Sequence, residues 1–251
     1  MVNRYFIYLT YKGTRYHGWQ QQPGEITIQQ VVERALSLKL NESVAVTGAG
    51  RTDAGVHALI FAAHFDSEIN NLHLNQYLIA TLNSFLPKDI AIRSIVRVRN
   101  DASARYSALS RSYIYRITLS KEPFETDTAW RIYTEPDIEA MNISASLLCN
   151  YSDFASFCRS NSGVKTTVCS VSDCYWERDG TKLTLHIKAD RFLRNMVRAV
   201  TGTMIDVGRG KISVDQFRKI VESRDRRAAG ESAPAHGLYL SNIEYPENIF
   251  L

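Results

Sequence analysis

The sequence lacks what would place it in several large classes of protein. No apolar run approaches the roughly 20 residues that span a bilayer, and the opening Met1-Val2-Asn3-Arg4-Tyr5 enters a strand-like pattern without the apolar centre of a secretory signal. A cytoplasmic protein is therefore expected. Cysteine is scarce: Cys149, Cys158, Cys169 and Cys174 all fall in the second half, and no two have the C-x-x-C spacing of a zinc or redox site. Reduced, packed or semi-exposed thiols are the expectation. There is no H-E-x-x-H, no H-x-E and no serine elbow of the form G-x-S-x-G. Gly208-Arg-Gly210-Lys211-Ile-Ser213 resembles a phosphate loop only in part, because Gly-Lys is not followed by Ser or Thr and Ile205 occupies the place of the first glycine. It reads better as the glycine-marked end of a helix.

The 251 residues suffice for one large or two modest domains with a sizeable core, since 45% are hydrophobic and 22% charged. The net charge is only +4, but it is unevenly spread. Residues 91–121 carry seven Lys or Arg against Asp101 alone, and residues 191–227 carry ten against four acids. Such segregation suits a polyanion partner, although a solvated basic face is the plainer alternative.

Aromatic and β-branched residues from Arg4 to Tyr11 predict a strand. Thr27 and Gln30 have capping-box spacing and open a helix with Ile28, Val31, Val32, Ala35 and Leu36 on one face. A glycine-rich loop precedes a strand over Ala58–Phe65, then a helix over about Asn75–Phe85 and a strand over Ile90–Val98. The second half predicts a strand over Ser112–Leu119, a helix over Ile138–Cys149 and a hairpin of Val164–Trp176 and Thr181–Ala189 about Asp179-Gly180. Helices over about Phe192–Val207 and Val214–Val221 and a strand over Leu238–Tyr245 follow. The expected class is α+β, with two similar strand-rich halves, 1–103 and 104–251, sharing an extended antiparallel or mixed sheet with helices on one face.

The richest string for chemistry is Gly48-Ala-Gly-Arg51-Thr-Asp53-Ala-Gly55-Val-His57-Ala58. Its glycines permit tight backbone and close approach of a ligand, and Arg51, Asp53 and His57 sit among small residues. A surface turn with an Arg–Asp pair is the alternative. Arg191, Arg194 and Arg198 would share one stripe of a helix. Tyr113 and Tyr115 should point the same way from a strand, either into packing or towards an unstacked base.

Gly50-Arg-Thr-Asp53-Ala-Gly-Val-His-Ala58 resembles the signature of the tRNA pseudouridine synthase A family. Further family-like strings follow in order: Tyr11-Lys-Gly-Thr14, Gly18-Trp-Gln-Gln-Gln22, Ala104-Arg-Tyr-Ser-Ala108, Arg111-Ser-Tyr-Ile-Tyr115, Phe192-Leu-Arg-Asn-Met-Val-Arg198 and Ala233-Pro-Ala-His-Gly237. The resemblance implies a homodimer of two-halved α+β subunits with a basic cleft. It implies that Asp53 is the catalytic carboxylate, that Tyr113 holds the target base, that Arg51 assists base flipping and that Arg198 pairs with Asp53. It places RNA contacts at Ala102, Ser103, Ala104, Arg105 and Tyr106, and at Arg159, Ser160 and Asn161. The family tends to carry glutamine where this chain has Phe61, which puts a secondary contact in doubt.

The implied reaction converts uridine to pseudouridine at positions 38–40 of the tRNA anticodon stem-loop. The base cannot turn within a stacked helix, so the nucleotide must be flipped out. Asp53 could add to C6, add to C1′ or abstract a ribose proton. No group is lost and no redox step occurs, so neither cofactor nor metal is expected. A non-catalytic RNA-binding module and an aspartate-based N-glycosidase are the rival readings.

Overall fold

In the computed structural model, residues 2–160 and 163–251 are described, and they form nine strands and five α-helices. The chain gathers into two compact units, residues 1–109 with 240–251 and residues 110–239. Both are strand-rich with helices packed on the strands, a mixed α/β architecture of the α+β kind.

In the first unit β1 (Asn3–Tyr11) is the central strand, antiparallel to β3 (His57–Ser67) on one side and β4 (Ile90–Val98) on the other. A two-residue strand β2 (Thr47–Gly48) pairs with β3. The run Tyr5-Phe6-Ile7 is wholly buried on both sides of the strand, as suits a sheet covered on two faces. Phe6 meets Tyr245 edge-on at 5.0 Å between centroids and Phe250 at 6.4 Å, so the end of the chain covers one face. Tyr5 stacks on Phe65 at 5.7 Å. Helix α1 (Ile28–Leu40) buries Ile28, Val32, Ala35, Leu36 and Leu40, and Thr27 caps it by accepting the Gln30 amide at 3.4 Å. Helix α2 (Gln76–Phe85) packs on α1 and β4 and is capped by the Asn75 side chain.

In the second unit β8 (Lys182–Ala189) lies between β5 (Ser110–Thr118) and β7 (Val171–Asp179), antiparallel to both. Gly180 turns the β7–β8 hairpin at φ +57°. The strand predicted from Val164 begins only at Val171. A short β6 (Trp130–Arg131) runs parallel to β5. Helix α3 (Ile138–Leu147) packs on β7 and on α4 (Met196–Gly208), and α5 (Val214–Ser223) starts at a full Ser213–Gln216 capping box. The end of α4 explains the Gly208–Ser213 string. A Cβ on Gly208 would meet Met141 Sδ at 2.5 Å, and Gly210 turns the chain at φ +68°. Finally, β9 (Leu238–Glu244) gives its first two residues to the second unit and the rest to the first.

The predicted arginine stripe is not there. Asn195 takes a left-handed conformation, φ +67°, and α4 starts after it, so Arg191 and Arg194 precede the helix and only Arg198 lies within it. The helix is also buried nearly all round. Thr201 and Thr203 satisfy their hydroxyls on the carbonyls of Val197 (2.8 Å) and Ala199 (2.7 Å).

No cysteine forms a disulfide among the described residues; Cys158, Cys169 and Cys174 are buried, and burial pushes the Cys169 thiol up to about 12. No helix of the described residues is long and apolar enough to cross a membrane.

Candidate active site around Asp53

Asp53 lies in the irregular stretch between β2 and β3, half-buried, with Arg51 exposed two residues before it. Main-chain bonds hold this stretch on both sides. Trp19 N donates to Thr52 O at 3.2 Å, Gly55 N to Tyr16 O at 3.3 Å and Val56 N to Asp53 O at 3.2 Å. Thr52 is buried and its hydroxyl pairs with that of Tyr11 at 2.9 Å. His57 is buried too, and its Nδ1 accepts the Gly13 amide at 2.9 Å. That bond requires Nδ1 to be unprotonated, so His57 acts here as a structural acceptor.

Two glycines outside the Asp53 string make this contact possible. A Cβ on Gly13 would lie 1.9 Å from Val56 O, and one on Gly18 would lie 2.2 Å from Thr52 O. Gly18 also sits at φ +82°, which disfavours any side chain. The strings beginning at Tyr11 and Gly18 are therefore the wall against which the Asp53 stretch is pressed. By contrast, a Cβ on Gly50 would meet nothing within 4 Å.

Phe61 belongs to the same core. It is wholly buried, stacked on Trp19 at 4.0 Å and tilted against Tyr11 at 5.7 Å. A Cβ on Gly48 would strike that indole at 2.4 Å. The aromatic ring at position 61 thus fills space beneath the loop and presents nothing at the surface.

The expected RNA segment 102–106 divides into two kinds of residue. Ala102 and Ala104 are buried, and their carbonyls are engaged: Arg4 Nη1 donates to Ala102 O at 3.0 Å and Tyr245 Oη to Ala104 O at 2.6 Å. The Ala104 amide donates to His64 Nδ1 at 3.1 Å. Ser103 closes the turn by accepting the amides of Ser107, at its carbonyl, and Tyr106, at its hydroxyl. Arg105 and Tyr106 are exposed, with the guanidinium 5.3 Å from the ring centroid. Burial holds the His64 pKa below the usual imidazole value, with the Arg4 charge adding to the effect.

In the second unit Tyr113 lies near the start of β5, opposite Ile187 of β8. Its ring is half-buried and meets Phe192 edge-on at 5.0 Å. Tyr115, two residues on, is wholly buried and donates to Pro234 O at 2.7 Å. Burial drives its hydroxyl far above the usual phenol pKa. A Cβ on Gly237 would press on the Tyr115 ring at 2.6 Å. Arg198 Nε donates to Ala233 O at 2.7 Å, and the Ala233 amide returns a bond to Arg198 O. The three second-unit strings thus brace one another. Arg159 and Ser160 are exposed, and the Arg159 amide donates to Arg194 O at 3.0 Å. Asn161 lies outside the described residues.

Two side chains, one in each unit, carry no mark in the sequence. His64 is one residue of the strand predicted over Ala58–Phe65, and Arg226 is one of the ten basic residues of 191–227. No short-range pattern marks either one.

The first unit thus offers a half-buried carboxylate in a backbone-clamped loop with Arg51 exposed two residues before it, and the second offers the half-buried Tyr113 ring and the exposed Arg159. A family model described as tRNA pseudouridine synthase matches residues 7–107 and 147–246. The chain belongs to the tRNA pseudouridine synthase family. The matched segments contain Arg51, Asp53, Arg105, Arg159 and Arg198, whereas Tyr113 falls between them. Individual relatives span that gap. The chain is 49% identical over 250 residues to tRNA pseudouridine synthase A of Bacteroides fragilis, with 99% of each chain covered. It is 48% identical over 253 residues to the protein of the same name from Bacteroides thetaiotaomicron, covering 99% of this chain and 93% of that one. Tellingly more distant, tRNA pseudouridine synthase A 2 of Clostridium perfringens is 38% identical over 239 residues, covering 94% of this chain and 97% of its own length.

Proposed function

We propose that this protein isomerises uridine to pseudouridine in tRNA, at positions 38–40 of the anticodon stem-loop, with Asp53 as the catalytic carboxylate. The observation that carries the reading is the Asp53 loop itself. It lies inside the matched family segment, and its backbone is clamped against Gly13 and Gly18 while the carboxylate stays half-exposed. Clamping of this kind fixes a reactive group without reorganisation at the moment of reaction.

The chemistry needs a flipped nucleotide. The N1–C1′ bond breaks, the base turns, C5 bonds to C1′, and the proton lost from C5 is balanced by one gained at N1. Asp53 serves as nucleophile or base in that sequence. Arg51, exposed next to it, is suited to the gap left by the flipped base, because a planar guanidinium both stacks and binds phosphate. Tyr113 offers a ring edge-packed on Phe192 for stacking on the base, and Arg198 assists the carboxylate. Arg105 and Tyr106 are the exposed members of the 102–106 turn, and with Arg159 and Ser160 they contact the RNA. We further assign the protein to the cytoplasm and to a homodimer, on the family resemblance.

The test is product analysis on unmodified tRNA. Pseudouridine at constant RNA mass is expected. Release of free uracil would indicate a glycosidase, and unchanged uridine with intact binding would indicate a carrier.

A further inference from the structure

Three arginines of the second unit, Arg159, Arg198 and Arg226, line one pocket of about 400 Å3, completed by Ser160, Asn195 and Ser232. Among the described residues, every one that lines it is polar and none carries a carboxylate. The neighbours of Arg226 show how unusual its state is. Arg224 pairs with Asp153 at 3.1 Å and Arg227 with Asp225 at 2.8 Å. Arg226 between them binds neutral acceptors among the described residues: Nη1 donates to Ala229 O at 3.3 Å and Gly230 O at 3.1 Å, and Nη2 to Ser232 Oγ at 3.0 Å. Ser232 Oγ also accepts from Asn195 Nδ2 at 2.6 Å. These bonds fix the guanidinium in place without cancelling its charge.

Arg159 and Arg226 bring two guanidinium charges to this pocket, and a bound anion answers them. Guanidinium forks match the oxygens of a phosphate, and the Ser and Asn side chains add neutral donors. The amino terminus of α4 opens beside Asn195, whose side chain does not cap it, so its partial positive charge adds to the field. The volume falls within the roughly 300–1,000 Å3 of ligand pockets, more than a bare inorganic anion fills.

We propose that this pocket binds one phosphodiester of the RNA backbone, held by Arg159 and Arg226 and flanked by Ser160, Asn195 and Ser232. The proposal rests on RNA being the substrate. Its place is to fix the register of the RNA, since phosphate contacts position and base contacts specify.

The experiment uses the full chain and anticodon stem-loops in which single linkages are made neutral by methylphosphonate. Arg159→Ala is the variant, because the Arg159 side chain is exposed and its structural bond comes from the backbone amide. Binding is measured, so the result does not depend on turnover. A pocket that binds while no pseudouridine forms would sink the catalytic reading alone. One linkage should, when neutral, weaken wild-type binding about tenfold, and weaken Arg159→Ala by clearly less, since only Arg226 still meets it there. The slope of log affinity against log salt should also fall by about 0.9 in that variant. Arg159→Lys, which keeps the charge, should retain part of the coupling. Additive effects at every linkage would overturn the proposal. So would competition by inorganic phosphate that depends on Arg159 while no linkage couples, since the pocket would then serve a free anion.

Discussion

The Asp53 loop and the segment around Arg198 are held by different means. Around Asp53 the clamp is main chain against main chain, with Gly13 and Gly18 pressed on the carbonyls of Val56 and Thr52. Around Arg198 the backbone is bonded too, Ala233 N to Arg198 O, but the guanidinium groups are set by side chains and a carbonyl, with Arg226, Asn195 and Ser232 linked to one another and Arg198 tied to Ala233 O. The difference suits the two tasks. A carboxylate that must meet a reacting atom tolerates little displacement, whereas guanidinium groups that grip a charged backbone retain attraction over a longer range. A backbone clamp should therefore fail abruptly, and a side-chain clamp by degrees.

Gly18→Ala is expected to break the first clamp outright. The added Cβ would have to move Thr52 O and adopt a left-handed backbone, at about 2–4 kcal/mol together. Thermal melting and pseudouridine formation should both fall sharply. Gly50→Ala, in the Asp53 loop itself but with open space around its Cβ, should cost under about 1 kcal/mol. Equal damage from the two would show that the loop is sensitive for some reason other than close approach.

Tyr113→Ala should weaken binding of the stem-loop by about 1–3 kcal/mol through lost stacking, while Tyr113→Phe should bind nearly as wild type. If Phe is as harmful as Ala, the hydroxyl matters and the ring does not.

Within the side-chain clamp, Ser232→Ala removes an acceptor shared by Arg226 and Asn195. A loss of about 1 kcal/mol in stability with a graded fall in tRNA affinity is the expected outcome. An abrupt collapse would erase the contrast between the two regions.

The smallest effect concerns acid. His64 has a pKa held below the 6.5 of free imidazole, chiefly by burial, and so does His236. As pH falls below that value the unfolded chain takes up protons before the folded one does, so stability is full above about pH 6.5 and is lost below it. Protonation of His64 would also cost the Ala104 amide its acceptor. Melting temperature followed from pH 7.5 down to 5 should therefore fall, and His64→Gln should flatten the fall. A melting temperature that rises on acidification would contradict the assignment of a neutral His64.

Much of this was legible in advance because local chemistry sets it. The strand Ile90–Val98, the Thr27 cap and the turn at Gly180 follow from period, capping and φ preference. The Asp53 loop stood out through its glycines, yet sequence could not rank these against the glycines elsewhere that press on it. Gly18 and Gly50 look alike until the carbonyl of Thr52 is found beside one of them. Phe61 resembled a departure from a surface contact, and only its stacking on Trp19 shows that it is core. The arginine stripe failed for a local reason, the left-handed Asn195, which delays α4 past Arg191 and Arg194. The return of residues 240–251 to the first unit depends on contacts such as Phe6 with Tyr245, which no short window contains.

The central claim is that Asp53 performs the chemistry while other residues hold the RNA. Asp53→Asn replaces one carboxylate oxygen by an NH2 group, which removes the charge and leaves the main-chain clamp intact. With unmodified tRNA, single-turnover assays of this variant should yield no pseudouridine, although its affinity for tRNA stays near that of the wild type. Appreciable pseudouridine from the Asn variant would contradict the account.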